Sequence, residues 1–238
     1  MMVLMRYLTF VFMVLLFALP VIANEPLHTT LLAAHEENST LVGSTADVYL
    51  EIRPGTGRVF LETFPLTKID TQISTRFAKE IACNYFDLKC DDLDFIYTIK
   101  SSAPIIGGPS AGAALASLTT AAVIELQVNQ SVAVTGTINS GGLVGPVGGL
   151  LAKADAARQA GIQTVLIPLG TLSGDKDNSS NEAIEYGKNY SINVVEANNL
   201  GEVLFYFTGK TLVDDETEVV ADNLYLDIMR SISTELCS

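Results

Sequence analysis

The sequence predicts a mixed α/β (α+β) domain, and three observations favour this class. Apolar residues make up 48% of the 238 residues and charged residues only 17%, so the chain can bury a substantial core. Short β-branched and aromatic runs alternate with segments whose apolar residues recur at helical spacing. The alternation follows no uniform strand–helix–strand repeat, and no internal repeat is visible. We therefore expect mixed sheets with packed helices.

The chain divides into four predicted segments. Residues 1–23 carry one positive charge followed by an apolar run that ends in small or branched residues, as export signals do. That run is short for a membrane span of about 20 residues, so we expect cleavage after Ala23, with an uncleaved anchor as the alternative. Residues 24–46 are polar and predict a linker or a short leading strand. The other two segments are a main domain, 47–209, and a C-terminal helical extension, 210–238. The bulk of the chain is then exported, and any membrane contact is made by its first segment.

The elements follow in order along the main domain. Predicted strands are runs rich in β-branched or aromatic residues: 48–52, 57–62, 95–99, 131–138, 164–168 and 192–195. Predicted helices cover 71–85, the segment after Ser110, 150–160, 182–189, 200–207 and 214–229. The turn Pro54-Gly55-Thr56-Gly57 predicts a hairpin between the first two strands. In the first helix, residues Ile73, Phe77, Ile81 and Tyr85 are each four apart and predict the apolar face of an amphipathic helix.

Charge and cysteine content limit the classes of partner. Lys and Arg number 14 against 27 Asp and Glu, a net charge of -13, which disfavours nucleic acid as a ligand. Cys83 and Cys90 could form a local disulfide in an oxidising compartment, or they could be two small buried residues. Cysteines and histidines show no metal-ligand spacing, so we expect no metal or other cofactor.

The stretch Gly107-Gly108-Pro109-Ser110-Ala111-Gly112 places a serine at the first turn of a helix. Glycine and proline break the chain there, and small residues compatible with a helix follow. Unpaired N–H groups at a helix start stabilise developing negative charge, which suits a nucleophile. Serine is also a preferred N-cap residue, so a purely structural capping role stays open on this stretch alone.

Lys153 is the candidate base for Ser110. Both histidines, His28 and His35, lie in the early polar segment and are unsuited to a tightly held triad. On a helical wheel Lys153 lies in the middle of the small and apolar face, opposite the polar side chains of its helix. Burial would lower its pKa from about 10.4 toward 7 or 8, the range a general base needs. The alternative is a lysine that snorkels at the helix start.

At these residues the sequence resembles the proteolytic domain of Lon proteases. The resemblance covers residues 48–207, and its specific motifs are Gly108-Pro109-Ser110-Ala111-Gly112, Thr135-Gly136, Gly148-Gly149-Leu150 with Lys153, Ala160-Gly161-Ile162 and Thr164–Pro168. Ser110 and Lys153 are 43 positions apart, the spacing that the family uses. The resemblance implies a Ser-Lys dyad peptidase with Ser110 as nucleophile, Lys153 as general base and then acid, and Thr135 orienting the lysine amine. It also implies a homo-oligomer as one expectation.

The two glycines before the serine are compatible with this catalytic role. Gly107 and Gly108 would let the backbone approach the substrate carbonyl, and the N–H of Ser110 would serve as an oxyanion donor.

Two residues depart from the family pattern. Gly107 stands where an acidic residue is usual, and Thr137 stands where glutamate usually follows the Thr-Gly pair. Loss of nearby carboxylates makes it easier for Lys153 to stay neutral. The printed sequence also has no G-x-x-x-x-G-K-[ST] phosphate loop. The sequence thus predicts an ATP-independent serine endopeptidase that acts on unfolded or flexible extracytoplasmic polypeptide and takes no nucleotide.

Two alternative functions remain at this stage. A small-molecule kinase of the GHMP type also has a Gly/Ser-rich loop before a helix, which would hold phosphate at the helix N-terminus. It does not account for the spacings of Lys153 and Thr135. A catalytically silent binding module of the same fold is the other alternative.

Overall fold

The computed structural model describes residues 26–170, 179–212 and 234. Its strands within these ranges are β1 Leu27–Glu37, β2 Thr40–Pro54, β3 Val59–Thr67, β4 Leu93–Ile106, β5 Val132–Val134, β6 Thr137–Ile138, β7 Val144–Gly145, β8 Thr164–Pro168 and β9 Asn193–Ala197. Its helices there are α1 Ile69–Tyr85, α2 Gly112–Val123, α3 Leu150–Gln159, α4 Ser180–Tyr190 and α5 Leu200–Thr208, with a 3₁₀ turn at Pro109–Ala111. The predicted segments 1–23 and 214–229 lie outside the described residues.

Seven strands form one mixed sheet in the order β3-β4-β2-β1-β5-β8-β9, and β6 pairs with β7 separately. β1, β2 and β4 are antiparallel neighbours, whereas β5, β8 and β9 run parallel to β1. Helices cover both faces of this sheet. The predicted mixed α/β class is confirmed.

Alternate residues of the central strands contribute side chains to two different hydrophobic cores. Val134 and Leu166 belong to the core that α1, α2 and α5 cover. Ala133 and Val165, their neighbours along the same strands, belong to the core beneath α3 and α4. Because successive side chains of a strand point to opposite faces, a short strand that is apolar throughout can fill both cores.

Of the two predictions for residues 24–46, the linker is wrong from Leu27 onward and the leading strand is correct, although the strand is longer than expected. That stretch forms β1 and the first half of β2, paired from Leu27 opposite Leu50 to Glu37 opposite Thr40. Asn38 and Ser39 make the connecting turn with φ values of 49° and 61°, the left-handed region that two-residue hairpins use. Threonines and alanines made this strand look irregular, yet it lies in the middle of the sheet.

The hairpin predicted around Pro54–Gly57 is also wrong. β4 lies between β2 and β3, antiparallel to the first and parallel to the second. The loop closes over the start of β4, where Asp94 Oδ1 accepts hydrogen bonds from Thr56 N (2.8 Å) and Arg58 N (3.0 Å). The Thr56 N–H and the Arg58 side chain lower the pKa of Asp94 to about 2. The residues between β2 and β3 therefore bind the start of β4 instead of forming a hairpin turn.

The face of α1 that packs on the domain differs from the predicted one. Ile81 is buried as expected, but Ile73 is 60% and Phe77 42% exposed. Ala78 and Ala82, both fully buried, occupy the inner face instead. α1 contacts the alanine-rich α2, and small residues let two helix backbones approach closely. The size of the side chains therefore decided which face is buried.

The structure joins Cys83 and Cys90 in a disulfide, with Cα atoms 6.1 Å apart. Both cysteines are buried, and the bond ties the last turns of α1 to the loop before β4. In the part of the chain that the structure describes, none of the helices has both the length and the apolar character that crossing a bilayer requires.

Candidate active site

Ser110 lies in the 3₁₀ turn that connects β4 to α2. The turn follows Gly108, whose φ of 114° is one that residues with side chains rarely adopt. A Cβ on Gly108 would lie 3.9 Å from Ser110 Oγ, so this glycine is next to the candidate nucleophile. The Ser110 hydroxyl makes no hydrogen bond with the residues that the structure describes, and the residue that caps α2 is Ala111. A capping role for Ser110 is therefore not supported.

Thr135 and Gly136 hold the serine turn in place. The strand predicted over 131–138 is in fact split by these two residues into β5 and β6. The Ser110 carbonyl accepts a hydrogen bond from Gly136 N (2.8 Å) and from the Thr135 hydroxyl (3.5 Å). Gly136 O in turn accepts from Ala113 N at 3.0 Å. The interruption of the strand is what turns both residues toward Ser110.

Lys153 is buried behind Thr135. It is the fourth residue of α3 and is 3% exposed, and its amine donates a hydrogen bond to Thr135 Oγ1 at 3.0 Å. Leu150, Ala154 and Ala157 of the same helix are at most 1% exposed. Burial lowers the pKa of Lys153 from 10.5 to about 8. The snorkelling alternative is wrong, because the amine points into the domain.

Gly43 of β2 lets the hairpin contact α3 directly. A Cβ at this position would lie 2.0 Å from Ala152 O and 2.9 Å from Ala156 Cβ. The backbone of β2 therefore passes against the helix turn that carries Lys153. The sequence did not single out Gly43, because it lies in the segment predicted as a linker. The one signal available was that Gly43 is a lone glycine within a strand, which often marks a close approach of another backbone.

The three polar groups form a connected series from Lys153 Nζ to Thr135 Oγ1 to the Ser110 backbone carbonyl. No direct hydrogen bond joins the Ser110 hydroxyl to the Lys153 amine within the described ranges. Residues 26–170 and 179–212 also contain no group of three His, Cys, Asp or Glu that could hold a metal ion. The arrangement presents a serine next to a glycine turn, with a lysine behind it whose amine is partly neutral near pH 8.

Gly107, the remaining predicted site residue, is exposed at the end of β4. Its missing side chain leaves room for Lys68, whose Cδ would lie 2.5 Å from a Cβ on Gly107. No local sequence signal connects these two residues, because they are 39 positions apart and meet only through the pairing of β3 with β4.

Comparison with known families first defines the class of this domain. Residues 93–206 match the model described as the Lon protease (S16) C-terminal proteolytic domain. The matched range begins at β4, ends in α5 and includes Ser110, Thr135 and Lys153. The class is thus that of the proteolytic domains, which supports serine-type peptidase activity in general.

Individual relatives agree with this match. Lon protease of Helicobacter pylori strain J99 is 33% identical over 171 residues, 69% of this chain and 19% of that protein. Lon protease 2 of Bacillus subtilis strain 168 is 40% identical over 81 residues, 34% of this chain and 14% of the relative. The archaeal Lon protease of Methanothermobacter thermautotrophicus is 38% identical over 99 residues, 42% of this chain and 14% of the relative.

The described domain belongs to the Lon proteolytic-domain family, which confirms the resemblance seen in the sequence. The chain spans less than a fifth of the length of these curated relatives.

Proposed function

We propose that this chain is a serine endopeptidase in which Ser110 and Lys153 form a catalytic dyad and Thr135 positions the lysine amine. One observation carries the proposal: the Lys153 amine is buried, and the hydroxyl that it contacts also contacts the Ser110 backbone. A lysine with only a structural role is not expected at this buried position, because burying an ammonium without a carboxylate partner is unfavourable.

In the acylation step Ser110 Oγ attacks the carbonyl carbon of the scissile peptide bond. The neutral Lys153 amine takes the hydroxyl proton as the C–O bond forms, which requires the two groups to approach within hydrogen-bond distance when substrate is bound. The Ser110 N–H, at the start of a helical segment, donates to the oxyanion. The Lys153 ammonium then gives its proton to the leaving amine, and the C–N bond breaks.

In the deacylation step the same lysine acts on water. Loss of the proton to the leaving group returns the Lys153 amine to its neutral form. It then takes a proton from the attacking water, the ester bond to Ser110 breaks, and the serine recovers its proton. Thr135 keeps the amine in place through both steps without adding a charge that would hold the proton on the lysine.

The two departures from the family pattern suit this mechanism. Burial is the cause of the lowered pKa of Lys153, with no opposing effect from a neighbouring carboxylate. Glycine at position 107 and Thr137 both replace residues that would bring negative charge and so stabilise the ammonium. We infer that their absence helps the lysine to act as a base near pH 8.

The test uses the 238-residue chain and a flexible fluorogenic polypeptide. We expect Ser110→Ala and Lys153→Met to lose activity by at least a hundredfold, while Ser140→Ala, a serine of the exposed glycine turn, retains it. A fluorophosphonate probe should label Ser110, as seen by mass spectrometry of the tryptic peptides. Full activity of both dyad variants would show that the assignment is wrong.

Thr135→Val tests the positioning role separately. The variant should reduce kcat more than KM and shift the alkaline rise of the pH profile, because the amine loses its hydrogen-bond partner. Thr135→Ser, which restores a hydroxyl, should recover part of the activity. A loss of activity with an unchanged pH profile would indicate a structural role alone.

We further propose that cleavage needs no ATP and occurs outside the cytoplasm. The proposals rest on the absence of a phosphate-loop motif in the printed sequence and on the export-like character of residues 1–23. Activity should be the same with and without Mg-ATP, and cell fractionation should place the chain with extracytoplasmic or membrane material. Nucleotide-dependent thermal stabilisation would instead favour the kinase alternative.

A further inference from the structure

Lys68 lies directly over the loop that carries the candidate nucleophile. β3 runs parallel to β4, and its last pairs set Thr67 opposite Ile106. The next residues, Lys68 and Gly107, are therefore also side by side. A Cβ built on Gly107 would lie 2.5 Å from Lys68 Cδ, 2.8 Å from Cγ and 3.0 Å from Cβ. The aliphatic stem of the lysine thus occupies the space that a side chain at position 107 would need.

This contact is close to the reacting atom. Gly107 is followed by Gly108, and a Cβ on Gly108 would lie 3.9 Å from Ser110 Oγ. With about 3.8 Å between neighbouring Cα atoms, the Lys68 stem is at most roughly 13 Å from the serine hydroxyl. An extended polypeptide advances about 3.3 Å per residue. Lys68 can therefore reach a substrate side chain within about four residues of the scissile bond.

The Lys68 ammonium is available to a ligand. The side chain is exposed, and it has no ion pair or side-chain hydrogen bond with the residues described. Asp70, the nearest carboxylate along the chain, lies in the first turn of α1 and accepts a hydrogen bond from Thr71 N at 2.8 Å. Leu66 and Ile69 flank the lysine and are 79% and 73% exposed.

Glycine at position 107 contributes no side chain that could pair with the Lys68 ammonium. An acidic side chain there would stand against the Lys68 stem and could pair with its charge. With glycine at this position, the Lys68 ammonium has no such partner at residue 107.

We propose that Lys68 is a specificity-determining residue that binds an acidic side chain of the substrate within four residues of the scissile bond. The inference rests on the proposed peptidase function. The preference for an acidic side chain should be confined to positions near Lys68, because the net charge of -13 on the chain repels acidic substrates at long range. A glutamate far from the cleaved bond should not increase kcat/KM of the peptide.

The experiment measures kcat/KM of the 238-residue chain on a set of flexible apolar peptides. Each peptide carries one Gln or one Glu at a position from four before to four after the cleaved bond, and a further pair carries it eight residues away. We expect Glu to be favoured by about two- to fivefold at one of the near positions, as for a partly exposed ion pair, and to be neutral or disfavoured at the distant one. The preference should decrease between 0.05 M and 0.5 M salt.

Variants assign the preference to one side chain. Lys68→Met keeps the stem over Gly107 and should abolish the preference for Glu over Gln, whereas Lys68→Glu should reverse it. Lys89→Met, an equally exposed lysine beyond the other end of α1, should keep it. A wild-type chain with Ser110-dependent activity but no Glu preference overturns this inference alone, as does a preference that persists in Lys68→Met. Absence of Ser110-dependent activity overturns the proposed function, and this inference with it.

Discussion

Replacement of Lys153 by methionine should stabilise the domain while it destroys activity. The lysine is 3% exposed, and its charged form is held where water cannot solvate it. Methionine has nearly the same length and no charge, so it fills the same space without that penalty. A residue retained for chemistry at the expense of stability behaves in this way.

The lowered pKa of Lys153 sets the magnitude. A pKa of about 8 in the folded chain against 10.5 for an exposed lysine corresponds to about 3 kcal/mol of destabilisation at pH 7. The folded pKa is below the unfolded one, so the unfolded chain binds more protons and stability rises with pH through this window. The lost hydrogen bond to Thr135 offsets about 1 kcal/mol of the gain. We expect Lys153→Met to be more stable by about 2 kcal/mol at pH 7.

Urea unfolding at several pH values tests this reasoning. The advantage of Lys153→Met over the wild type should shrink by about 2 kcal/mol between pH 7 and pH 9.5, because over this range Lys153 loses its proton in the folded chain while it keeps most of it in the unfolded chain. Lys89→Met, which replaces an exposed lysine, should show no such pH-dependent difference. A variant that is less stable than the wild type at pH 7, or whose advantage is the same at both pH values, would refute the assignment of a buried lysine with a lowered pKa.

Three further predictions concern activity and stability. The kcat/KM of the wild type should rise with pH around an apparent pKa of about 8 and level off above it, since the proposed base is the neutral form of Lys153; a profile that is flat from pH 6 to 9 would contradict this. Gly43→Ala should lower the free energy of unfolding by about 1 to 3 kcal/mol in urea, because its Cβ would overlap Ala152 O, whereas Gly141→Ala in an open turn should have little effect. Cys83→Ser should lower the free energy of unfolding by about 2 to 3 kcal/mol, the amount expected for closing so short a loop, and a reductant should then have no additional effect on it.

The sequence was sufficient to single out Ser110 and Lys153 as candidate site residues because each carries a local signal. Ser110 follows a glycine and proline break before a run of small residues, and Lys153 is the one charge on the apolar face of its helix. Both signals depend on periodicity or on turn chemistry, which a single segment displays by itself. The burial of Lys153 follows directly from such a pattern.

The parts of the fold that could not be predicted depend on partners distant in the sequence. β1 has no strong strand pattern, and it is a strand because β2 and β5 pair with its two edges. β4 enters between β2 and β3 although the turn between those two favours a hairpin. The contact between Lys68 and Gly107 requires the register of β3 with β4, which no local preference determines.

The mispredicted segment is also the one on which the chemistry of the lysine depends. The hairpin of β1 and β2 contacts α3, and Gly43 brings its backbone against the turn that carries Lys153. We infer that this contact helps to keep water from the amine, so that the lowered pKa of Lys153 depends on the packing of residues 27–54 against α3 as well as on the helix itself. A side chain at position 43 would separate the two and admit water. Gly43→Ala should therefore raise the pKa of Lys153 toward its ordinary value and move the alkaline rise of kcat/KM to higher pH, an effect that a loss of stability alone would not produce.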